Sequence, residues 1–258
     1  VPKSTIELVK RVIPNGDVAT PYGATEALPV TYVTGAELLS GAWAPARTGE
    51  QGTPVGRPVP GVEVRIIKSS NEPLRDLSLA DSLPVGEIGE VIVRGPVVSP
   101  EYLHRPDANK TGKIIDGGAF WHRVGDLGYL DQGGNLYYCG RKVHSVYIQD
   151  RAYHSVPLEE IFNALPKVRR SALVGIRGGR EPAIVVEPLP QFWPDTPAKH
   201  DAFVAELRSI AAQSPLTSDI GTFLFHRSFP VDARHNAKIY RDQLADWADK
   251  FISGRKAA

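Results

Sequence analysis

Between Thr20 and Pro29 the chain reads TPYGATEALP, which places an aromatic ring, a hydroxyl and a carboxylate (Tyr22, Thr25 and Glu26) close together on a loop bounded by Gly and Pro. A surface turn is the ordinary reading of such a stretch, because Gly and Pro punctuate loops. Three later stretches also carry groups able to accept hydrogen bonds or bear charge: RVGDLG at 123–128 with Asp126, GRK at 140–142 with Arg141, and RHNAK at 234–238 with Lys238. Singly they say little. Asp126 alone is more often a turn residue, Arg141 a surface arginine and Lys238 a solvated lysine before a helix. Their order and separation along one chain carry the information.

The elements that must position these groups fall into two styles. Residues 1–139 read as strands and turns. VEVRIIK (62–68) and GEVIVRG (89–95) alternate as half-buried strands do, and VGDLGYLDQGGNLYYCGR (124–141) reads as a hairpin turning at DQGGN. After Arg141 the character changes. Ser155 can cap a helix, with Pro157 in its first turn, Glu159 and Glu160 near the positive end of the dipole, and Ile161, Phe162 and Leu165 on one face. Strands SALVGI and AIVVEPL follow, then an amphipathic helix carrying Phe203, Leu207, Ile210 and Ala211. A strand GTFLFHRSF and a final helix IYRDQLADWADKFI complete the run. Alternation of this kind predicts an α/β module. The expected organisation is a β-rich first part, 1–140, followed by a small α/β domain, 141–258.

Composition excludes several functions. With 258 residues, 42% apolar and 23% charged, the chain can bury a real core. A formal charge of +1 with scattered Lys and Arg leaves no footprint for nucleic acid, and no apolar run is long enough for a membrane span. The single Cys139, in a strand-like run, reads as a packed thiol in a reducing, cytoplasmic setting. His122, His144, His154 and His235 lack metal-ligand spacing and read as loop or surface residues. FWPDTP at 192–197 reads as a packed loop. The chain contains no Met, as expected of a fragment whose start is cut away or of a sequence from which modified methionines are omitted, so spacings are soft.

The four motifs in this order resemble the adenylate-forming superfamily of acyl-CoA synthetases, peptide-synthetase adenylation domains and luciferase. VGRPVPGVEVRI, GEIGEVIVRGP and the following Tyr102 are similar to further blocks of that family, in sequence. The resemblance covers essentially the whole chain as the C-terminal half of such an enzyme: the end of its large domain, then its small mobile domain. It implies ATP and Mg²⁺ as cofactors and a fatty acid as substrate. Tyr22 and Gly23 would line the adenine pocket, Thr25 would meet phosphate, and Glu26 would hold the metal. Asp126 would accept from the ribose hydroxyls, and Arg141 would lie near ribose and phosphate. Lys238 would be the catalytic lysine, carried by a domain that turns about Lys142 or Val143.

Two departures stand out. Tyr147 and Asp150 occupy positions where coenzyme-A-using members have a lysine and a glycine, and Ala237 replaces the glycine before the last lysine. A side chain at Asp150 would crowd a pantetheine tunnel, which speaks against coenzyme A as acceptor. TPYGATEALPV and GRKVHSV…PLEEIF resemble the branch of bacterial olefin biosynthesis, in which the hydroxyl of a 2-alkyl-3-hydroxy fatty acid attacks its own acyl-adenylate and closes a β-lactone. Other enzymes of that pathway would be partners. A fatty acyl-CoA synthetase, a fatty acyl-AMP ligase and a non-catalytic module of the same fold are the alternatives. The family's upstream phosphate loop and most of its acyl pocket lie outside this chain, so the chain alone should not be a competent enzyme.

Overall fold

The computed structural model describes residues 3–41, 52–232 and 238–255. His235 and Ala237 lie outside the described residues, as does most of RHNAK. The chain divides into two compact units, Val1–Lys142 and Val143–Ala258.

The first unit contains α1 (Lys3–Val12), β1 (Ala19–Ala24), β2 (Ala27–Thr34), α2 (Gly35–Ser40), β3 (Thr53–Pro58), β4 (Glu63–Ile67), β5 (Gly89–Arg94), α3 (Pro106–Gly112), β6 (Lys113–Asp116), β7 (Ala119–Leu130) and β8 (Leu136–Arg141). Its strands form one antiparallel sheet in the order β1-β2-β3-β8-β7-β5-β4, with β6 added to β7. Alternation sends neighbouring residues to opposite faces. Ile66, Val91 and Val93 join Val62, Val124 and Leu136 in one core, whereas Ile67 and Ile92 join Ile114 and Trp121 in another. Both faces of β4 and β5 are therefore covered. Trp121 is fully buried beneath the guanidinium groups of Arg65 (4.6 Å) and Arg94 (4.9 Å), and its indole donates to Asp116 at 3.0 Å.

This half is less purely β than its sequence suggests. α1 packs Ile6 into the interior, and α2 begins at a capping box in which Thr34 and Glu37 satisfy each other's backbone amides. The TPYGATEALP stretch is also not a loop. It forms the β1–β2 hairpin, with only Thr25 and Glu26 at its turn. Pro21 is tolerated because β1 is the sheet edge, where a missing amide breaks no ladder.

The second unit contains β9 (Val146–Ile148), β10 (Arg151–Tyr153), α4 (Ser155–Asn163), β11 (Val168–Ile176), β12 (Glu181–Pro188), α5 (Pro197–Ala211), β13 (Thr222–Phe225) and α6 (Arg241–Arg255). β12 is the central strand, antiparallel to β11 and parallel to β13. Ile184 and Val186 face Leu158 and Phe162 of α4 and Phe203 and Leu207 of α5. Ala183 and Val185 belong to the opposite core, with Leu244 and Ala248 of α6. A central strand covered by helices on both faces explains the uninterrupted apolar run AIVV at 183–186. The mixed α/β class expected from the sequence is the class observed.

Two local readings need correction. Ser155 is the first residue of α4 rather than its cap. His154 takes the cap position without capping the helix through its side chain, and its Nδ1 lies 3.2 Å from the Ser145 hydroxyl instead. Glu159 does not face solvent near the dipole. It is buried, with Oε1 accepting from the Leu173 amide at 2.8 Å and its carboxylate gripped by Arg241 at 2.5 and 2.9 Å.

Candidate active site

The hairpin tip and the strand bearing Asp126 meet within the first unit. Gly23 sits at a bulge where the β1–β2 register slips, and a Cβ there would lie 2.3 Å from the Ala27 carbonyl oxygen. Only glycine lets Tyr22 turn inward at this point. Asp126 is aimed by a second bulge. Val91 of β5 alone opposes Val124, Gly125 and Asp126 of β7, and Gly125 adopts a left-handed φ of 78°. The Gly-Asp pair in RVGDLG is thus a strand deformation that re-aims a side chain.

The two devices converge. The Tyr22 hydroxyl donates to Asp126 Oδ2 at 2.8 Å, and Arg141, Asp126's antiparallel partner on β8, donates from Nη1 to Oδ1 at 2.9 Å. The same nitrogen lies 3.3 Å from the Val124 carbonyl. Asp126 is almost fully buried, whereas the Arg141 side chain is 48% exposed, so the corner opens to solvent on its cationic side. Burial raises the Asp126 carboxyl, against the opposing pull of Arg141 and Tyr22. Burial and the adjacent Asp126 hold the Tyr22 hydroxyl well above its usual range, so it stays a donor. The Tyr138 ring lies 6.0 Å from that of Tyr22.

Thr25 is exposed at the hairpin turn, and Glu26 beside it is partly buried. The Tyr102 hydroxyl donates to Glu26 Oε1 at 2.8 Å. Burial would raise the Glu26 carboxyl. The Tyr102 bond, its own backbone amide and the positive charges of His122 and Lys113 prevail, and hold it below the ordinary range. Burial and Glu26 push Tyr102 up to about 12. An ionised carboxylate beside a free-standing hydroxyl is a donor set that fits a hard cation shared with phosphate oxygens.

His122 is a further correction. It is neither loop nor surface but lies in β7 opposite Lys113, 2% exposed, with Nδ1 3.0 Å from the Gly112 carbonyl. Tyr102 and His122 back the hairpin tip, yet no local pattern in the sequence marks them as neighbours of Glu26. The only signal for Tyr102 was its place after the GEIGEVIVRGP block.

Residues 1–103 match the family model described as AMP-binding enzyme. The chain is 40% identical to the olefin beta-lactone synthetase of Stenotrophomonas maltophilia (strain K279a) over 99% of its length. It is also 40% identical to that of Xanthomonas campestris pv. campestris over 96%. The chain belongs to the adenylate-forming superfamily. It spans 46% and 45% of the length of those two relatives. Among solved structures, the amide bond synthetase McbA from Marinactinospora thermotolerans aligns with 89% of the chain and 41% of its own length, at 27% identity and a TM-score of 0.67.

The second unit presents its candidate lysine differently. Lys238 is exposed. Its carbonyl accepts from the Asp232 amide at 2.9 Å, and Val231 and Ile239 form a β-bridge around it. Lys142, the last residue of the first unit, is tied inward to the carbonyl of Ser70 and to Glu90 Oε2 at 3.1 Å, while Val143 is 80% exposed. Tyr147 is half exposed on β9 and lines a cavity of about 320 Å³ with His144, Ser145, Arg241 and Asp242. Asp150 stands exposed at the β9–β10 turn. Among the described residues no group of three His, Cys, Asp or Glu side chains could hold a metal on its own, and no helix is long and apolar enough to cross a membrane.

Proposed function

We propose that this chain is the C-terminal half of an ATP- and Mg²⁺-dependent enzyme that adenylates a 2-alkyl-3-hydroxy fatty acid and closes it to a β-lactone. The observation that carries the reading is the Asp126 corner. A nearly buried carboxylate, held by Tyr22 and Arg141, suits a pair of vicinal hydroxyls beside an aromatic face. Tyr22 and Gly23 wall the adenine, Asp126 takes the ribose hydroxyls, Arg141 stands near ribose and phosphate, and Thr25 meets phosphate. Glu26 holds Mg²⁺, which when bound neutralises charge on the phosphate oxygens.

The first step joins a substrate carboxylate oxygen to the α-phosphorus and expels pyrophosphate. Lys238 supplies a point charge on a flexible stem to the oxygens where negative charge gathers. The second unit turns about Lys142 and Val143. The substrate's 3-hydroxyl then attacks the acyl carbonyl, AMP departs, and the hydroxyl proton is released. A nucleophile already within the substrate is present at high effective molarity, so no thiol acceptor is needed. This agrees with a tyrosine and an aspartate at positions 147 and 150. The 40% identity to two olefin beta-lactone synthetases supports the branch.

The test uses full-length protein with ATP, Mg²⁺ and a racemic 2-alkyl-3-hydroxy fatty acid, with and without coenzyme A, the products being read by mass spectrometry. A β-lactone and AMP formed without coenzyme A are expected. In Lys238→Ala, with its melting temperature unchanged because the side chain is exposed, turnover should fall by about 10²–10³-fold. An acyl-CoA, or a released acyl-adenylate without lactone, would replace the lactone reading. Absence of pyrophosphate exchange would remove the enzymatic one.

A further inference from the structure

None of the roles above uses Tyr102, yet it is firmly braced beside the hairpin tip. It lies in the connector between β5 and α3. Its amide donates to Asn109 Oδ1 at 2.6 Å, and Asn109 Nδ2 donates back to its carbonyl at 3.1 Å. The ring stands 5.5 Å from the Lys113 ammonium and meets the His122 ring edge-on at 6.2 Å. The same connector also holds the backbone of the tip. The Ser99 amide donates to the Glu26 carbonyl at 2.7 Å, Val98 bridges Ala27, and Lys113 donates to the Ser99 carbonyl. The connector is therefore anchored without the Tyr102 hydroxyl. That hydroxyl has a separate partner, the Glu26 carboxylate.

A glutamate side chain at a hairpin turn has several rotamers available, and each fraction of time spent in a wrong one weakens whatever it must hold. A hydroxyl on a rigid, immobilised ring removes that freedom by fixing one carboxylate oxygen. We propose that Tyr102 is a positioning residue for Glu26, its hydroxyl selecting the one orientation in which the carboxylate meets a divalent cation. The inference rests on the reading of Glu26 as the cation's carboxylate. Outer hydrogen-bond partners of metal-holding carboxylates typically contribute 10–100-fold in affinity.

The experiment uses full-length protein with ATP and Mn²⁺ as the probe. Free Mn²⁺ is measured by electron paramagnetic resonance, and AMP binding without metal is measured by calorimetry. Tyr102→Phe keeps the ring and should weaken Mn²⁺ by about 10-fold or more while leaving AMP affinity within about twofold. Asn109→Ala keeps the hydroxyl but loosens its frame and should give a smaller loss of Mn²⁺. It also carries the test should Tyr102→Phe fail to fold, and unchanged Mn²⁺ affinity in it would then overturn the inference. If Tyr102→Phe binds Mn²⁺ normally while Glu26→Gln does not, the positioning role is wrong and the reading of Glu26 stands. If Glu26→Gln itself binds Mn²⁺ normally, the reading of Glu26 falls and takes the inference with it. Equal losses of Mn²⁺ and AMP in Tyr102→Phe would mean that the hydroxyl supports the whole site, which also overturns the assignment.

Discussion

Glu159 in the second unit and Asp126 in the first bury charge for different ends. Glu159 is closed off, because its arginine partner is itself only 13% exposed. It is gripped by that partner, Arg241, between α4, β11 and α6. In the first unit, Asp126 takes two side-chain bonds and Glu26 one, and their partners are tyrosine hydroxyls and, for Asp126, an arginine that reaches solvent. Satisfied pairs that face only the interior hold elements together. The carboxylates at a bulge and a turn, with one side open, are the ones proposed above to meet a ligand. Bonding alone does not separate the two classes, whereas the direction in which the corner opens does.

The sharpest way to break this comparison is to remove one partner from each kind of pair. Arg241→Ala leaves the Glu159 carboxylate buried with only the Leu173 amide, and should cost roughly 3–5 kcal/mol. Chemical denaturation of the chain should show the loss, and a cost below about 1 kcal/mol would mean that the second unit does not depend on the pair. Tyr22→Phe removes one neutral donor from Asp126, keeps the ring, and leaves Arg141 in place. A cost near 1 kcal/mol to stability is expected. In the full-length enzyme the Michaelis constant for ATP should rise by about 10-fold, because the carboxylate is no longer held toward the ribose. The preference for ATP over 2′-deoxy-ATP should shrink in the same variant. An unchanged preference would separate Tyr22 from Asp126.

How much of this was legible in the sequence depends on the range over which each feature is encoded. The strands around 62–68 and 89–95 and the hairpin at 124–141 were readable because alternation and turn glycines are local signals, and each is present. The alternation of helices and strands after residue 141 was readable for the same reason. The β1–β2 hairpin was not, because Pro21, Gly23 and Pro29 look like breakers until the edge position of β1 and the bulge at Gly23 are known. Glu159 looked like a dipole complement because Arg241 lies 82 residues away, and His122 looked exposed because nothing nearby announces the sheet that covers it. The candidate site shows the same division. Its residue types were visible as motifs, but the bonds that make it a site, Tyr22 to Asp126 and Tyr102 to Glu26, span 104 and 76 residues. Topology makes those contacts, and no window along the chain contains them.

The finest test of the comparison lies between the two open carboxylates, which titrate in opposite senses. Burial raises Asp126, so the folded chain keeps that proton to higher pH than the unfolded chain does. Its contribution to stability is present below the ordinary aspartate value and is lost as pH rises through the folded one. Glu26 is lowered, because the Tyr102 bond and the nearby positive charges outweigh its burial. Its contribution is present above the ordinary glutamate value and is lost as pH falls through the folded one. Relative to the parent chain, Asp126→Asn should therefore gain stability as pH is raised from about 3 to about 6, and Glu26→Gln should lose it over the same interval. Urea melts of the three proteins at several pH values give the two difference curves. Slopes of opposite sign are expected, both small beside the effect of Arg241→Ala. Parallel slopes would mean that the two carboxylates see one environment, and that the hairpin tip and the β7 bulge are not the separate electrostatic corners described above.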